Sequence, residues 1–323
     1  MPPGQPWLSI IIPICDPVRN AAGCLSSLAA CKEPGLEVIV AGQVSAQVIE
    51  QAKNFPLPLR HVVQTGAGAG EARNLGAAQA RGEVLFFTAP DCRILPSLPA
   101  RLKEIFADPE VSAAGGAVRP LDPDQPLALL SALEMAFEQG DPEQDQEVCP
   151  LMACAAFRTA DFRAAGMCNE RLIHALGGDQ DLCQRISAAG GLIARDDELW
   201  VKQELPGTWG QIWRRQLRRG QINYQKLRSG LRLAGSDYLQ PILILLALGL
   251  LVMLGPQDPG RSITLALICL LLLYPANRAF LKYIGLEEPG LLRTALLFCL
   301  LRPAAWLLGM LREALARLGL GGK

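Results

Sequence analysis

Histidine is scarce in this chain, with only His61 and His174 among 323 residues. A zinc site built largely from histidine is therefore not expected. Net charge is absent as well, because 31 basic residues balance 31 acidic ones, so global charge gives no support to nucleic acid binding. The ten cysteines include no C-x-x-C pair and no secretory signal is recognisable, which predicts reduced, mostly buried thiols facing the cytosol.

Apolar residues are unevenly distributed and are concentrated near the C-terminal end. Their density there predicts one soluble domain followed by a membrane region rather than two soluble domains. We expect a soluble domain over residues 5–225, a basic juxtamembrane linker over 226–236 and a membrane region over 237–323.

The stretch Gly66–Cys92 is the most informative part of the sequence. It predicts a glycine-rich turn, a helix beginning near Glu71 and a strand, Val84–Phe87, that ends just before Asp91. The strand is apolar on both faces, which is typical of the centre of a parallel sheet covered by helices. Its end delivers Asp91 to the edge where open α/β sheets bind ligands.

Arg73 and Asn74 lie near the start of the predicted helix. Backbone N–H groups at a helix start, together with a fixed guanidinium, favour an anion. A carboxylate and an anion-binding arginine at one strand end fit a metal-assisted diphosphate site. The residues alone are also compatible with a flexible loop, a surface arginine and a turn aspartate.

The remainder of the soluble part alternates between strand and helix patterns, which predicts a doubly wound sheet. Strands are predicted over Trp7–Ile14, Leu36–Ala41, Leu59–Gln64 and near Ala113–Val118, helices over Ala21–Cys31 and Leu98–Phe106, and a helix-bearing loop over Pro120–Gln146.

The chain contains ARNLG at residues 72–76, RGE at 81–83 and LFF at 85–87, followed by Asp91-Cys92. Together these motifs resemble the family 2 glycosyltransferases. The resemblance extends from residue 7 to about residue 221. It implies the GT-A fold, an α/β domain with a doubly wound mixed sheet, here followed by a C-terminal transmembrane helical hairpin. It also implies a nucleotide-sugar donor and a Mg²⁺ or Mn²⁺ ion.

The same resemblance implies roles for individual residues on the donor side. The residues implied to bind the donor or its cation are Pro13, Asp16, Arg73, Asn74 and Asp91. Gly42-Gln43 stands where the family has an acidic pair that holds the base or ribose, so the nucleotide is left open.

The segment 177–185, GGDQDLCQR, resembles the family's G-E-D-x-D-L-x-x-R. The resemblance implies that Asp179 is the general base of an inverting transfer, because a carboxylate must take the proton of the attacking hydroxyl. Gly178 replaces the family's glutamate. From the residues alone, Asp179 also fits a helix N-cap with Asp181 in the first turn.

Two groups expected in the metal site are replaced, because Ala89 and Gln203 stand where the family has an aspartate and often a histidine. Asp91, aided by diphosphate and water, can still hold Mg²⁺ or Mn²⁺. Alternatively, arginines neutralise the leaving group in place of part of the metal's charge. The arginines implied to close over the phosphates are Arg215, Arg218 and Arg219.

No acidic residue lies between Glu204 and Asp237, whereas arginine and lysine are frequent there. A basic run beside an apolar segment indicates the cytoplasmic membrane face and anionic lipid. We expect spans at about 238–255 and 262–281, with the soluble domain cytoplasmic. The third apolar segment, about 290–317, contains Arg302-Pro303 and is interpreted as interfacial or re-entrant.

Together these features predict an inverting glycosyltransferase that moves a sugar from a nucleotide-diphosphate sugar to a hydroxyl of a lipid or lipid-linked acceptor at the cytoplasmic membrane face. The substitutions at Gly42-Gln43, Ala89, Gly178 and Gln203 keep a second hypothesis open. In it, the protein is a catalytically weakened relative that binds nucleotide, lipid or a partner enzyme. A nucleotidyltransferase is disfavoured, since the glycine-rich turn lacks a P-loop lysine.

Overall fold

The structure is a computed structural model of the chain. It describes residues 5–15, 21–43, 48, 50, 55–63, 68–139, 150–170, 178–228, 235–254 and 257–318. The chain divides into two compact units, which we name the sheet unit and the helical unit. The sheet unit comprises Met1–Pro123 and Glu138–Leu205, and the helical unit comprises Asp124–Phe137 and Pro206–Lys323.

One eight-stranded mixed sheet forms the centre of the sheet unit, in the order β3-β2-β1-β4-β7-β6-β8-β5. Its strands are β1 Leu8–Ile14, β2 Leu36–Gly42, β3 Leu59–Val62, β4 Val84–Thr88, β5 Cys92–Ile94, β6 Val111–Pro120, β7 Cys154–Arg158 and β8 Leu192–Gln203. The mixed α/β sheet predicted from the sequence is therefore confirmed.

The two strands at the centre of the sheet, β1 and β4, are apolar and buried along their whole length. Each has β-branched or aromatic side chains on both faces, which suits a strand covered on both sides. β1 pairs in parallel with both β2 and β4, whereas β4 pairs antiparallel with β7. The predicted all-parallel surroundings of β4 are thus wrong on its β7 side.

Short helices complete the sheet unit: α1 Ala22–Ala29, α2 Ala69–Gln79, α3 Leu98–Ile105, α5 Thr159–Ala164 and α6 Gly178–Ala188. The predicted helices agree with α1, α2, α3 and α6 to within a few residues, whereas β5 and β8 were not predicted. A core cluster that includes Ile11, Phe87, Phe157, Phe162 and Leu182 fixes α5 and α6 against the sheet.

The helical unit consists of α4 Pro126–Glu138, α7 Trp209–Arg228, α8 Gly235–Leu254, α9 Pro259–Leu271, α10 Leu273–Glu287, a 3-10 turn Pro289–Leu291 and α11 Leu292–Arg317. Helix α4, predicted inside the loop 120–146, packs here through Leu130 against Ile212, Phe280 and Phe298. Residues 206–225, which the sequence assigns to the soluble domain, also fall in this unit.

Glycine brings two helices of this unit close together. A Cβ atom on Gly220 of α7 would lie 2.1 Å from the carbonyl oxygen of Trp306 in α11, and one on Gly309 would lie 2.0 Å from that of Leu217. Only hydrogen fits at these positions, so α7 and α11 pack backbone to backbone.

Within the described residues, two helices are long and apolar enough to cross a membrane, Pro259–Glu287 and Pro289–Arg317. Leu239–Met253 is a shorter apolar helix. Pro259–Glu287 contains the predicted span at 262–281, whereas the predicted span at 238–255 corresponds to the shorter helix and Pro289–Arg317 to the segment interpreted as interfacial. The spans at 238–255 and 262–281, and the interfacial placement of 290–317, stay predictions.

Several predictions fall on residues outside those that the structure describes. These are Asp16, Gly66 and Ala67 of the glycine-rich turn, residues 140–146 of the predicted loop, Gly177 of the 177–185 segment, and residues 229–234 of the linker.

Candidate functional site

Asp91 lies at the end of β4, where the sequence places it, and is held there by the neighbouring strands. β5 begins directly after it, and Cys92 pairs with Gln203 in β8. The Gln203 side chain donates a hydrogen bond from Nε2 to Asp91 Oδ1 at 3.1 Å. The backbone N–H of Glu204 donates to the Asp91 carbonyl oxygen at 3.1 Å. Asp91 is therefore fixed at the strand-end edge by side chain and backbone.

Arg73 and Asp179, distant in sequence, meet in the sheet unit. Arg73 Nη1 lies 3.7 Å from Asp179 Oδ1, and the two side chains are only 9% and 14% exposed. The backbone N–H of Met152 donates to Asp179 Oδ2 at 3.3 Å. The structure therefore brings the predicted base and the predicted donor-side arginine into one charged pair.

Asp179 is in the first turn of α6 with Asp181. The described part of the helix begins at Gly178, two residues before the start that a cap at Asp179 requires, so the alternative N-cap interpretation is wrong. Asp181 pairs instead with Arg185, whose Nη2 lies 2.7 Å from Asp181 Oδ2. The two aspartates of the turn thus have different partners.

Asn74 has a structural role in this conformation. Its Nδ2 donates to the Cys168 carbonyl oxygen at 2.9 Å and to Glu170 Oε1 at 2.8 Å, and its Oδ1 accepts from the Cys168 N–H at 2.9 Å. Both amide hydrogens are used in tying α2 to residues 168–170. A donor contact by Asn74 stays a prediction, without support from these hydrogen bonds.

The end of β2 explains one departure from the family pattern. Gly42 has φ +134°, and a Cβ atom there would lie 2.0 Å from the Ile14 carbonyl oxygen. An acidic side chain cannot be accommodated at this position without moving the backbone. Pro13 is buried in β1 opposite Ala41, and its contact with a nucleotide stays a prediction.

The described residues contain no group of three or more His, Cys, Asp or Glu side chains placed to hold a metal ion. The candidate ligands for a divalent cation are therefore Asp91 and Gln203. Gln203 Oε1 is buried and has no hydrogen-bond partner among the described residues. A carboxylate beside an unsatisfied amide oxygen offers two hard oxygen ligands, which suits Mg²⁺ or Mn²⁺ completed by diphosphate oxygens and water.

The three predicted phosphate-binding arginines lie on α7, in the helical unit. Arg218 is exposed, whereas Arg215 and Arg219 are half-buried. Arg215 Nη2 and Arg219 Nη1 each lie 3.9 Å from the carboxylate of Glu134. The helix therefore presents its arginines on two sides, which the sequence did not separate. Their contact with a donor stays a prediction.

Thiols near the site are protonated. Burial, reinforced by the Asp91 carboxylate, raises the pKa of Cys92 to about 12, and burial raises the pKa of Cys168 to about 12. Burial also raises the pKa of Cys154. Such thiols are poor nucleophiles and poor metal ligands, and most of the described cysteines are free and buried, as the sequence predicts.

The residues that sequence reasoning missed are those that support others. Met152 and Glu134 carry no motif, and only the folded chain brings them to Asp179 and to the arginines. Gln203 did carry a signal, since it occupies a position where the resemblance expects a metal ligand.

Comparison with known proteins relates part of the chain to one family and most of it to one fold. Residues 9–163 match the model of Glycosyl transferase family 2. An uncharacterized glycosyltransferase of Haemophilus influenzae is 31% identical over 101 residues, which cover 31% of this chain and 34% of that protein. The match thus spans about a third of the curated relative's length.

Solved structures resemble most of the chain. The mannosyltransferase PcManGT from Pyrobaculum calidifontis, in complex with GDP-Man and Mn²⁺, aligns with a TM-score of 0.59 and 20% identity, covering 97% of this chain and 88% of that one. Glucosyl-3-phosphoglycerate synthase from Mycobacterium tuberculosis, in complex with phosphoglyceric acid, aligns with a TM-score of 0.50 and 14% identity, covering 72% and 82%. At these identities the likeness shows the fold alone.

Proposed function

Because residues 9–163 form a family 2 glycosyltransferase domain with the GT-A fold, we propose that the protein is an inverting glycosyltransferase of the cytoplasmic membrane face. Its donor is a nucleotide-diphosphate sugar, and its acceptor is a hydroxyl of a lipid or lipid-linked molecule. The observation that carries the proposal is the buried pair of Arg73 and Asp179, which unites a proton acceptor with a fixed cation.

The reaction assigns one step to each member of this pair. Asp179 takes the proton of the acceptor hydroxyl as the acceptor oxygen forms its bond to the anomeric carbon. The bond from that carbon to the diphosphate oxygen breaks, and the nucleoside diphosphate leaves with the electron pair. Arg73 is a fixed, always charged group beside Asp179 that holds this carboxylate in place for the proton transfer, and its contact with the donor is proposed in addition.

Asp91, with Gln203 after rotation of its amide, would hold a Mg²⁺ or Mn²⁺ ion. When bound, such an ion neutralises charge on the leaving diphosphate. Support for a divalent cation comes from the buried Gln203 oxygen that lacks a partner among the described residues, and from the Mn²⁺ in the PcManGT complex. Arg215, Arg218 and Arg219 are proposed as further partners of the diphosphate.

The lipid acceptor is supported by the apolar surface of the helical unit. Large apolar side chains are exposed along α8 and α9, and contiguous apolar surface of this kind is typical of contact with lipid. The exposed residues include Leu239, Ile242, Leu245, Leu246, Leu248, Leu251, Val252, Met253, Ile263, Leu267, Ile268 and Leu271. A sugar acceptor carried by a lipid would be held at the same membrane.

The test is transfer by the detergent-solubilised chain from radiolabelled sugar nucleotides to a membrane lipid extract. We expect label in the organic phase and an equal amount of nucleoside diphosphate. Nucleotide hydrolysis without labelled lipid would contradict a lipid acceptor. Nucleotide binding with neither product would instead favour a binding protein, and release of pyrophosphate would indicate a nucleotidyltransferase.

A further inference from the structure

A buried carboxylate lies at the centre of the helical unit. Glu134 of α4 is 2% exposed. It accepts hydrogen bonds from Gln216 Nε2 of α7 at 3.1 Å to Oε1 and 3.2 Å to Oε2. Gln216 in turn accepts from Trp306 Nε1 of α11 at 2.7 Å. Three helices are therefore joined through one carboxylate and one amide.

Three arginines surround the same carboxylate. Arg302 Nη1 lies 3.7 Å from Glu134 Oε1, and Arg215 and Arg219 each lie 3.9 Å away. Arg302 is buried on α11 and also donates to Asn277 and Gln240. A buried carboxylate is stable only when it is paired and hydrogen-bonded, and Arg302 supplies the buried counter-charge. The charges of Arg215 and Arg219 exceed what neutralising Glu134 requires.

Arg215 retains an unused donor. Its Nη2 faces Glu134, whereas its Nη1 is buried without a hydrogen-bond partner among the described residues. A buried N–H without an acceptor is costly, and buried polar groups in native proteins are almost always satisfied. The guanidinium is thus held at Nη2, and its Nη1 still requires an acceptor. An oxyanion is the ligand that such a guanidinium recognises.

We propose that Glu134 is a positioning residue that orients Arg215, with Arg219, for binding an oxyanion, which is the diphosphate of the sugar nucleotide. This inference rests on the proposed function, which supplies the diphosphate. Glu134 fixes the rotation of α7 through Gln216 and holds the arginine side chains by charge. A pre-oriented arginine loses less conformational entropy when it binds phosphate than a free one does.

The sign of the effect separates positioning from simple electrostatics. Glu134→Gln removes a negative charge beside two arginines, and by Coulomb's law alone this would strengthen their attraction for an anion. Loss of orientation would weaken it. We therefore expect weaker binding of the donor in E134Q, and tighter binding would contradict the inference.

The chain offers a matched control on the same helix. Gln225 Nε2 donates to Glu313 Oε1 at 3.0 Å, which repeats the amide–carboxylate contact of Gln216 with Glu134. Glu313 forms an ion pair with Arg317 of its own helix. E313Q therefore perturbs α7 in the same chemical way, away from Arg215 and Arg219.

The experiment compares wild type, E134Q, E134D, E313Q, R215Q and E134Q/R215Q as full chains in detergent. We expect the donor KM to rise about tenfold in E134Q with a smaller change in kcat, to recover partly in E134D, and to stay within about twofold in E313Q. R215Q should raise KM similarly, and E134Q should add little in the R215Q background, because both act through one group.

Additive effects of E134Q and R215Q, or equal losses in E134Q and E313Q, would also overturn the inference. Affinity for UDP and GDP is measured by calorimetry on the same variants, so that a failure of sugar transfer remains distinguishable. Wild type that binds either nucleotide but transfers no sugar would contradict the proposed function alone. In that case, weaker nucleotide binding by E134Q would support the positioning role of Glu134, and unchanged binding would contradict it. Wild type that binds neither nucleotide would contradict both.

If E134Q fails to fold, judged by its thermal unfolding, E134D and R215Q carry the comparison. E134D keeps the charge but draws it back by one methylene, and it should raise KM without a matching fall in Tm. An unchanged KM in both E134D and R215Q would overturn the inference.

Discussion

The guanidinium of Arg73, on the helix that follows the glycine-rich turn, lies 3.7 Å from the carboxylate of Asp179 in the first turn of α6. The two residues are far apart in the sequence. Their meeting requires the sheet, because α2 and α6 are placed by strands on either side of β4. Under the proposed function, the pair would supply a proton acceptor and a fixed positive charge in one buried place.

Replacement of Arg73 should affect both stability and donor use. In Arg73→Gln the Asp179 carboxylate would lose its buried cation, which costs about 3 kcal/mol in the free energy of unfolding. We also expect kcat/KM for the donor to fall on the order of a hundredfold. Steady-state kinetics and thermal unfolding measure the two effects.

Arg163→Gln is the control for this change, because Arg163 donates to the carbonyl oxygens of Ala77 and Ala80 on the same helix segment without pairing with Asp179. It should lower Tm and leave kcat/KM per folded molecule unchanged. Equal kinetic losses in the two variants would show that Arg73 acts only through stability.

The hydrogen bond from Gln203 to Asp91 predicts how metal dependence can be altered. Gln203→His would place an imidazole, a stronger ligand for Mn²⁺ than an amide oxygen, beside the carboxylate. We expect the Mn²⁺ concentration for half-maximal activity to fall on the order of tenfold. Titration of activity and of free Mn²⁺ by electron paramagnetic resonance measures the change.

Gln203→Leu is the companion variant, because it removes the amide at similar volume. It should weaken Mn²⁺ binding, and Asp91→Asn should abolish it. If Mn²⁺ binding and activity are unaffected in both variants, Asp91 does not hold a cation.

Gly42 should be intolerant of any side chain. Gly42→Ala would place Cβ 2.0 Å from the Ile14 carbonyl oxygen at φ +134°. The clash and the unfavourable backbone conformation predict a loss of at least about 1–3 kcal/mol in the free energy of unfolding. Thermal unfolding of the full chain measures it. Gly210→Ala is the control, because nothing lies within 4 Å of its added Cβ. A Tm for G42A equal to that of G210A would contradict the geometry of this strand end.

Buried thiols should make the protein sensitive to alkali. Burial, together with the Asp91 charge, raises the pKa of Cys92 to about 12, and burial raises that of Cys168 to about 12. Between about pH 9 and 12 the unfolded thiols lose protons that the folded ones keep. Stability is therefore complete below pH 9 and falls with rising pH, by about 1.4 kcal/mol per unit for each thiol.

Cys168→Ala should reduce the loss of unfolding free energy per pH unit by the contribution of one thiol. Unfolding free energies at pH 8 and pH 10 measure it in wild type and variant. An identical pH 8 to pH 10 difference in the two proteins would show that Cys168 does not contribute.

Local patterns were sufficient to predict most of the sheet unit. The apolar runs of β1, β2 and β4 can only be buried strands, and their bounds are confirmed to within a residue or two. β8 was missed because Leu192–Gln203 carries many charged residues and buries only Leu199 and Val201. The antiparallel pairing of β4 with β7 was missed because no local signal states strand direction.

The site was predicted as single residues and not as pairs. Asp91, Asp179 and Arg73 were chosen from motifs, and their placement at strand ends and helix starts follows from the fold. The hydrogen bonds of Gln203 with Asp91 and of Asn74 with Cys168 depend on contacts between distant segments. Glu134 was invisible, because a lone glutamate in an apolar helix has no signature before its partners are known.

The role of Asp179 as the base is tested by release of nucleoside diphosphate from the detergent-solubilised chain. Release is measured over a panel of sugar nucleotides with membrane lipid extract. Wild type is compared with Asp179→Asn and with Asp181→Asn, a substitution in the same helical turn whose carboxylate pairs with Arg185 instead of Arg73. We expect lipid-dependent release whose rate falls on the order of 10²- to 10⁴-fold in D179N and stays at the wild-type level in D181N. Release at the wild-type rate in D179N would contradict the role of Asp179 as the base.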